Sequence, residues 1–183
     1  MKLLLHSCCG PCSVYPVNNL KEKGISVTGF FYNPNIHPFK EFKRRLTTAE
    51  AYFKGEELSF TCDKNYGLIM FLRAVVNNEA GRCLYCYRER LEKTVQQAKE
   101  DRYDSFSSTL LYSKYQNHQK IKQMCEELAN QYSIDFYYED FRNGWQEGID
   151  KSIEMEMYRQ PYCGCIYSEQ ERYDPALRKR KKK

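Results

Sequence analysis

Short apolar runs alternate with longer amphipathic stretches along most of the chain, and the changes of period fall at turn residues. Lys2–His6 carries three consecutive leucines and reads as a buried strand. It runs into Ser7-Cys8-Cys9-Gly10-Pro11-Cys12-Ser13, where a helix begins that ends at Gly24, with Pro16 expected in its first turn. Ser26–Tyr32 reads as a second strand and Asn33–Pro38 as a loop. Helical patterns cover about Phe39–Lys54, Tyr66–Asn77, Leu84–Arg102, His118–Tyr132 and Glu147–Met157. Strand patterns cover Leu58–Thr61, Ser105–Leu111 and Ile134–Tyr138. The order β-α-β-α-β-α-α-β-α-β-α predicts an α/β fold, a mostly parallel sheet with helices on both faces. Ligands of such folds collect at the C-terminal ends of the strands, which is where the first cysteines fall.

The chain has 183 residues, enough for one core, and residues 1–177 are expected to form a single domain. Six of its 29 basic residues form the run Arg178–Lys183, expected as a disordered tail. Without that run the chain is close to neutral against its 24 acidic residues, so the net charge of +5 belongs to the tail. A basic tail reads equally as a phosphate-seeking arm and as a solvated end. No stretch approaches the ~20 apolar residues that cross a bilayer, and the N-terminus lacks signal-peptide features. A cytoplasmic protein without membrane contact is expected.

Seven of nine cysteines lie in three clusters: Cys8, Cys9 and Cys12; Cys83 and Cys86; Cys163 and Cys165. An odd count without a secretion signal argues against a disulfide framework. Two C-x-x-C spacings with a Cys-Cys and a C-x-C point to metal binding, because such spacing lets thiolates converge from a turn or helix start. Helix N-termini favour thiolate over thiol. Spacing does not choose between zinc and an iron–sulfur cluster. Four ligands would leave three cysteines for a second metal or a redox pair, and Cys163-Gly164-Cys165 is the natural pair. Cys125 fits a helical core pattern and Cys62 ends a strand, so both read as structural.

Other candidates are weaker. His6 is two residues from Cys8 but reads as a histidine bonded in place within a strand. His118 follows a polar loop and suits a substrate contact or a helix start. Lys40, Lys43, Arg44 and Arg45, with Phe39 and Phe42 nearby, form a basic patch that could meet phosphates or simply be a solvated face. Some of the 16 tyrosines and ten phenylalanines could stack on bases.

The chain resembles the QueH epoxyqueuosine reductases over nearly its whole length. The stretches that carry the resemblance are Leu3–Ser13 (LLLHSCCGPCS), Val27–Pro38 (VTGFFYNPNIHP), Arg82–Leu91 (RCLYCYRERL), Ser108–Gln116 (STLLYSKYQ), Asp140–Gly148 (DFRNGWQEG) and Tyr158–Arg172 (YRQPYCGCIYSEQER). It implies an oxidoreductase acting on tRNA that carries epoxyqueuosine at the wobble position. The epoxide oxygen would leave in a two-electron reduction giving queuosine, the last step of queuosine synthesis. It also implies a [4Fe-4S] cluster, which shifts the balance from zinc, and no cobalamin.

On that basis Cys8, Cys9, Cys83 and Cys86 are expected to hold the cluster. Cys163 and Cys165 are expected as a redox pair or as ligands to an additional iron, with Cys12 close by. Asp140 and Tyr112 are the proton-donor candidates. Lys40, Lys43, Arg44, Arg45 and His118 are the candidate tRNA contacts, and the electron donor is unidentified. The Cys-rich first turn, standing where a phosphate-binding loop would be, resembles the HUP-type, PP-loop-related Rossmann-like fold. That leaves a tRNA sulfur-transfer enzyme as a rival, weakened by the missing S-G-G-x-D-S pattern. A non-catalytic metal-stabilised RNA-binding module and a general thiol–disulfide oxidoreductase are the others.

Overall fold

A computed structural model describes residues 1–180. Five strands form one sheet: β1 (Lys2–His6), β2 (Ser26–Phe31), β3 (Phe60–Cys62), β4 (Ser105–Ser108) and β5 (Asp135–Phe136). Their spatial order is β3-β2-β1-β4-β5 and every neighbouring pair is parallel. This is the doubly wound, Rossmann-like arrangement anticipated from the alternation. Between and after the strands run α1 (Gly10–Glu22), α2 (Phe39–Gly55), α3 (Leu68–Val75), α4 (Arg82–Glu100), α5 (His118–Tyr132), α6 (Trp145–Glu154), α7 (Ile166–Tyr173) and α8 (Pro175–Arg180). α1 packs with α2 and α6, and α4 packs with α5 and against β1.

The sheet's centre explains β1. Leu3, Leu4 and Leu5 are all fully buried, so side chains pointing to either face meet a helical layer. Phe106 of β4, Leu91, Val95 and Ala98 of α4, and Ile121, Cys125 and Leu128 of α5 share the same core. The chain leaves β1 for β2 and β3 on one side, then returns to lay β4 on the other. That reversal opens a crevice beyond the C-terminal ends of β1 and β4. The backbone N–H of Cys8, just past β1, donates to Thr109 Oγ1, just past β4, at 3.1 Å and ties the crevice's two walls together.

Several boundaries differ from expectation, each for a local reason. α1 starts at Gly10, so its first-turn proline is Pro11, and Pro16 lies in the helix interior. Pro16 has no N–H to offer the Cys12 carbonyl one turn back. Gly10 is needed where α1 passes α2: a Cβ there would sit 2.8 Å from Thr48 Cγ2 and 2.9 Å from the Thr48 carbonyl. β4 ends at Ser108, whose Oγ accepts from the Leu110 N–H and turns the chain into a 3-10 turn, Thr109–Leu111. α4 begins at Arg82, which puts Cys83 and Cys86 within about one turn of its start. α7 and α8 had no sequence forecast; α7 buries none of its side chains, so it carries no apolar stripe to detect. The first three residues of the basic run continue α8, and Lys181–Lys183 lie outside the described residues.

His6 is held in place as its strand setting suggested. Its Nδ1 bonds with Ser108 Oγ at 2.9 Å and its Nε2 with the Tyr32 carbonyl at 3.2 Å. Burial, with Arg90 adding to it, lowers its pKa to about 4, and burial lowers that of His37 to about 4. The unfolded chain therefore takes up these protons at pH values where the folded one does not. Stability should fall as pH drops from about 6.5 towards 4, with His6 alone costing about 2 kcal/mol by pH 5. Urea midpoints measured between pH 7 and 5 check this; a flat profile over that range would contradict it.

Candidate metal centre

The first thiol group is built by the end of β1 and the start of α1. Cys9 is extended, with φ −176° and ψ 167°, and α1 begins immediately after it. The Sγ atoms of Cys8, Cys9 and Cys12 lie within 4.8 Å of one another, with Cys8 and Cys9 at 3.8 Å. Among the described residues this is the one set of three or more His, Cys, Asp or Glu side chains gathered so closely. All nine cysteines are free thiols.

Charge is unevenly shared in this trio. Hydrogen bonds from Cys12 and Cys9 hold the Cys8 thiol well below its ordinary value. The bond to Cys8 pushes Cys12 up, and burial pushes Cys9 up. Cys8 is thus the member of the trio that most readily becomes a thiolate, while Cys9 and Cys12 hold their protons more tightly. Buried, converging thiols at a helix N-terminus fit an iron–sulfur or metal centre by donor chemistry.

The second group joins α4 to the C-terminal segment. Cys86 and Cys165 are buried together with Phe71 and Val75 of α3, while Cys83 and Cys163 are exposed. Burial pushes Cys86 up to about 12, and negative charge on Cys163, Cys165 or Cys83 would push it further. Arg90 opposes this: fully buried, it donates from Nη2 to Cys86 Sγ and from Nε to the Cys86 carbonyl, each at 3.0 Å. Its charge also reaches Cys8 and Cys163, so it serves both groups. Of the expected cluster set, Cys8 and Cys9 stand in the first group and Cys83 and Cys86 in the second.

A clamp holds the segment carrying Cys163. Arg45, 1% exposed, donates from Nη1 to the Cys163 carbonyl at 2.7 Å and from Nη2 to the Tyr162 carbonyl at 2.9 Å. Its Nε pairs with Glu41 Oε1 at 2.7 Å, one turn back along α2. Glu41 also accepts from Tyr158, and Tyr162 donates to the His37 carbonyl. The His37 N–H donates to the Gly164 carbonyl at 2.8 Å. Gly164 itself lies so near Asn35 that a Cβ would stand 3.0 Å from Nδ2. Arg45 therefore leaves the basic patch in which it was expected: α2 turns it inward, and only Lys40, Lys43 and Arg44 stay exposed.

A cavity of about 850 Å³ opens beside the thiols, lined by Cys8, Cys12, Cys163, Arg45, Arg90 and Tyr112 among others. That volume suits a small-molecule-sized group such as a nucleoside. Gln160 Nε2 donates to Cys12 Sγ, and Gln116 Nε2 to Cys163 Sγ, both at 3.1 Å. Tyr112 donates to the Trp145 carbonyl at 2.9 Å, and burial raises its pKa, so it keeps its proton. Asp140 sits away from that lining. Arg142 holds its carboxyl below the usual range through bonds of 2.8 and 2.6 Å, leaving it without a proton to give. His118 opens α5, mostly buried, with Nε2 bonded to Tyr138 Oη at 3.2 Å. It is a helix-start residue packed on an aromatic ring rather than an exposed contact.

Sequence reasoning missed Arg90 and the inward course of Arg45. Both carried a signal: Arg90 follows Cys86, and Arg45 follows Glu41, at the i, i+4 spacing that makes helix neighbours.

A family profile described as epoxyqueuosine reductase QueH matches residues 3–171. A relative named epoxyqueuosine reductase QueH from Dehalococcoides mccartyi is 36% identical over 172 residues, 94% of either chain. One of the same name from Thermotoga maritima is 31% identical over 186 residues, 93% of this chain and 91% of its own. A solved structure described as a predicted subunit of tRNA methyltransferase from Methanocaldococcus jannaschii superposes with a TM-score of 0.59 at 12% identity. It covers 99% of this chain and 88% of its own, and shows the fold alone.

The clamp makes a direct prediction. Arg45→Gln leaves the Glu41 carboxylate buried without its cation and should cost about 3–5 kcal/mol. Arg45→Lys keeps the charge but loses the paired carbonyl bonds. In both variants Cys165 should be alkylated faster than in the unaltered protein; unchanged alkylation rates would remove Arg45 as the clamp.

Proposed function

Because the chain belongs to the epoxyqueuosine reductase QueH family, we propose that it removes the epoxide oxygen of epoxyqueuosine at the tRNA wobble position. The reaction takes up two electrons and two protons and gives queuosine and water. The observation that carries this reading is the close trio Cys8, Cys9 and Cys12, of which Cys8 and Cys12 line a nucleoside-sized cavity at the end of β1. A [4Fe-4S] cluster, when bound, supplies the electrons one at a time. The reading needs no cobalamin.

Cys8, Cys9, Cys83 and Cys86 are the ligands we assign to the cluster. The close approach of Cys12 to Cys8 and Cys9 makes it the rival ligand. Cys163 and Cys165 serve as ligands to an additional iron or as a redox pair. Arg45 and Arg90 bring positive charge to the cavity wall, where negative charge develops as the epoxide C–O bonds break. Tyr112 is the protonated group in that wall, and it would exchange its bond to the Trp145 carbonyl for one to the substrate oxygen. Lys40, Lys43 and Arg44 meet backbone phosphates while the wobble base, unstacked, enters the cavity. The electron donor is unidentified, and the cytoplasm is where tRNA is met.

The test is anaerobic. Iron-reconstituted protein, epoxyqueuosine-bearing tRNA and a strong one-electron reductant are incubated, and the digested nucleosides are weighed. Loss of one oxygen, dependent on protein and reductant, is expected; no loss with the cluster spectrum intact would overturn the reading. Serine at position 8, 9, 83 or 86 should abolish the cluster's visible absorbance, and Cys12→Ser should retain it. Retention in Cys83→Ser with loss in Cys12→Ser would hand the site to the close trio instead.

A further inference from the structure

Four aromatic rings run in a row from the body of the protein to the cavity mouth. Tyr15 and Tyr112 stack with centroids 6.3 Å apart, Tyr112 and Trp145 lie at 5.0 Å, and Trp145 and Tyr115 meet edge to face at 5.6 Å. Tyr112, Trp145 and Tyr115 all line the cavity. Tyr115 ends the row 86% exposed, the highest exposure among the large hydrophobic side chains described.

The row is anchored. A Cβ on Gly144 would fall 1.9 Å from the Tyr15 ring, so glycine before Trp145 lets the start of α6 lie directly on Tyr15. The Tyr112 hydroxyl donates to the Trp145 carbonyl and occupies the space a Cβ on Gly148 would need. Trp145 is thus fixed from below, and its outward side carries Tyr115 and the Lys114 ammonium, 5.8 Å from the ring centroid. Arg159 and Arg172 add further cations around the cavity.

We propose that Tyr115 and Trp145 form a stacking platform for an unpaired nucleobase of the anticodon loop, next to the one that enters the cavity. The proposal rests on the tRNA reading and deepens it. Rigid aromatic faces beside cations are the chemistry that holds single-stranded RNA, because every base has a π-face and every nucleotide a phosphate. Extruding one base also unstacks its neighbours, whose exposed faces need a new partner. Tyr115 offers one at the cavity mouth.

Trp145 is the chain's single tryptophan, so its emission reports on the platform alone. The probe is an unmodified anticodon stem-loop RNA with guanosine at the wobble position, titrated while Trp145 is selectively excited. Quenching is expected with the stem-loop and not with a duplex lacking the loop. Tyr115→Ala should weaken stem-loop binding about tenfold, and Tyr115→Phe, which keeps the ring, should stay within about twofold. With epoxyqueuosine-bearing tRNA the loss should appear in KM rather than kcat. A stem-loop that fails to bind, that binds without altering Trp145 emission, or that binds Tyr115→Ala as tightly would overturn the platform. Protein that removes the epoxide oxygen yet shows neither effect keeps its function and loses the platform. Protein that shows both effects but leaves the epoxide intact keeps the platform and loses the function.

Discussion

A buried thiolate must be answered by positive charge, and this molecule brings that charge from three directions. Cys9 stands at the N-terminal end of α1 and Cys12 in its first turn, where the helix carries partial positive charge. Arg90 reaches up from α4, donating to Cys86 while its charge extends to Cys8. Arg45 reaches in from α2, held by Glu41, and its charge acts on Cys8 and Cys9. Arg90 spends its donors on Cys86, from Nε to the carbonyl and from Nη2 to Sγ. Arginine suits both places because its charge persists under burial and its planar fork can serve a carbonyl and a sulfur at once.

The same arginines couple the two halves of the chain. Cys8, Cys9 and Cys12 come from the first turn of the fold, and Cys163 and Cys165 from near its end. Arg45 bonds the Tyr162 and Cys163 carbonyls, so the C-terminal segment closes over the crevice because a helix from the first half holds it. Cys165 lies under that closure, whereas Cys163 stays exposed at the rim and accepts from Gln116. One cysteine thus faces the protein and the other the solvent.

The sheet and its helices were legible because their signals are local. Three consecutive leucines announced the central strand, Gly24 stands at the end of the first helix, and the alternation dictated the winding. Clustering made the cysteines legible as a centre, and the resemblance to a family supplied their chemistry. Tertiary partners were not legible. Arg45 sat in a run with Lys43 and Arg44, and its i, i+4 spacing from Glu41 was the one local sign that set it apart; the carbonyls it bonds lie more than a hundred residues away. Asp140 looked like a free acid until Arg142, two residues on, took both its oxygens. Trp145 was an ordinary residue in a motif until Gly144 and Tyr15 fixed its ring in the cavity wall.

The proposed function places iron at the C-terminal end of β1, facing the cavity. Anomalous scattering at the iron edge from anaerobically grown crystals of the reconstituted protein tests it directly. The account predicts an iron peak within bonding distance of Cys8 and Cys9 Sγ, beside the wall formed by Arg45, Arg90 and Tyr112. Iron confined to another part of the molecule, with these two thiols unligated, would contradict it.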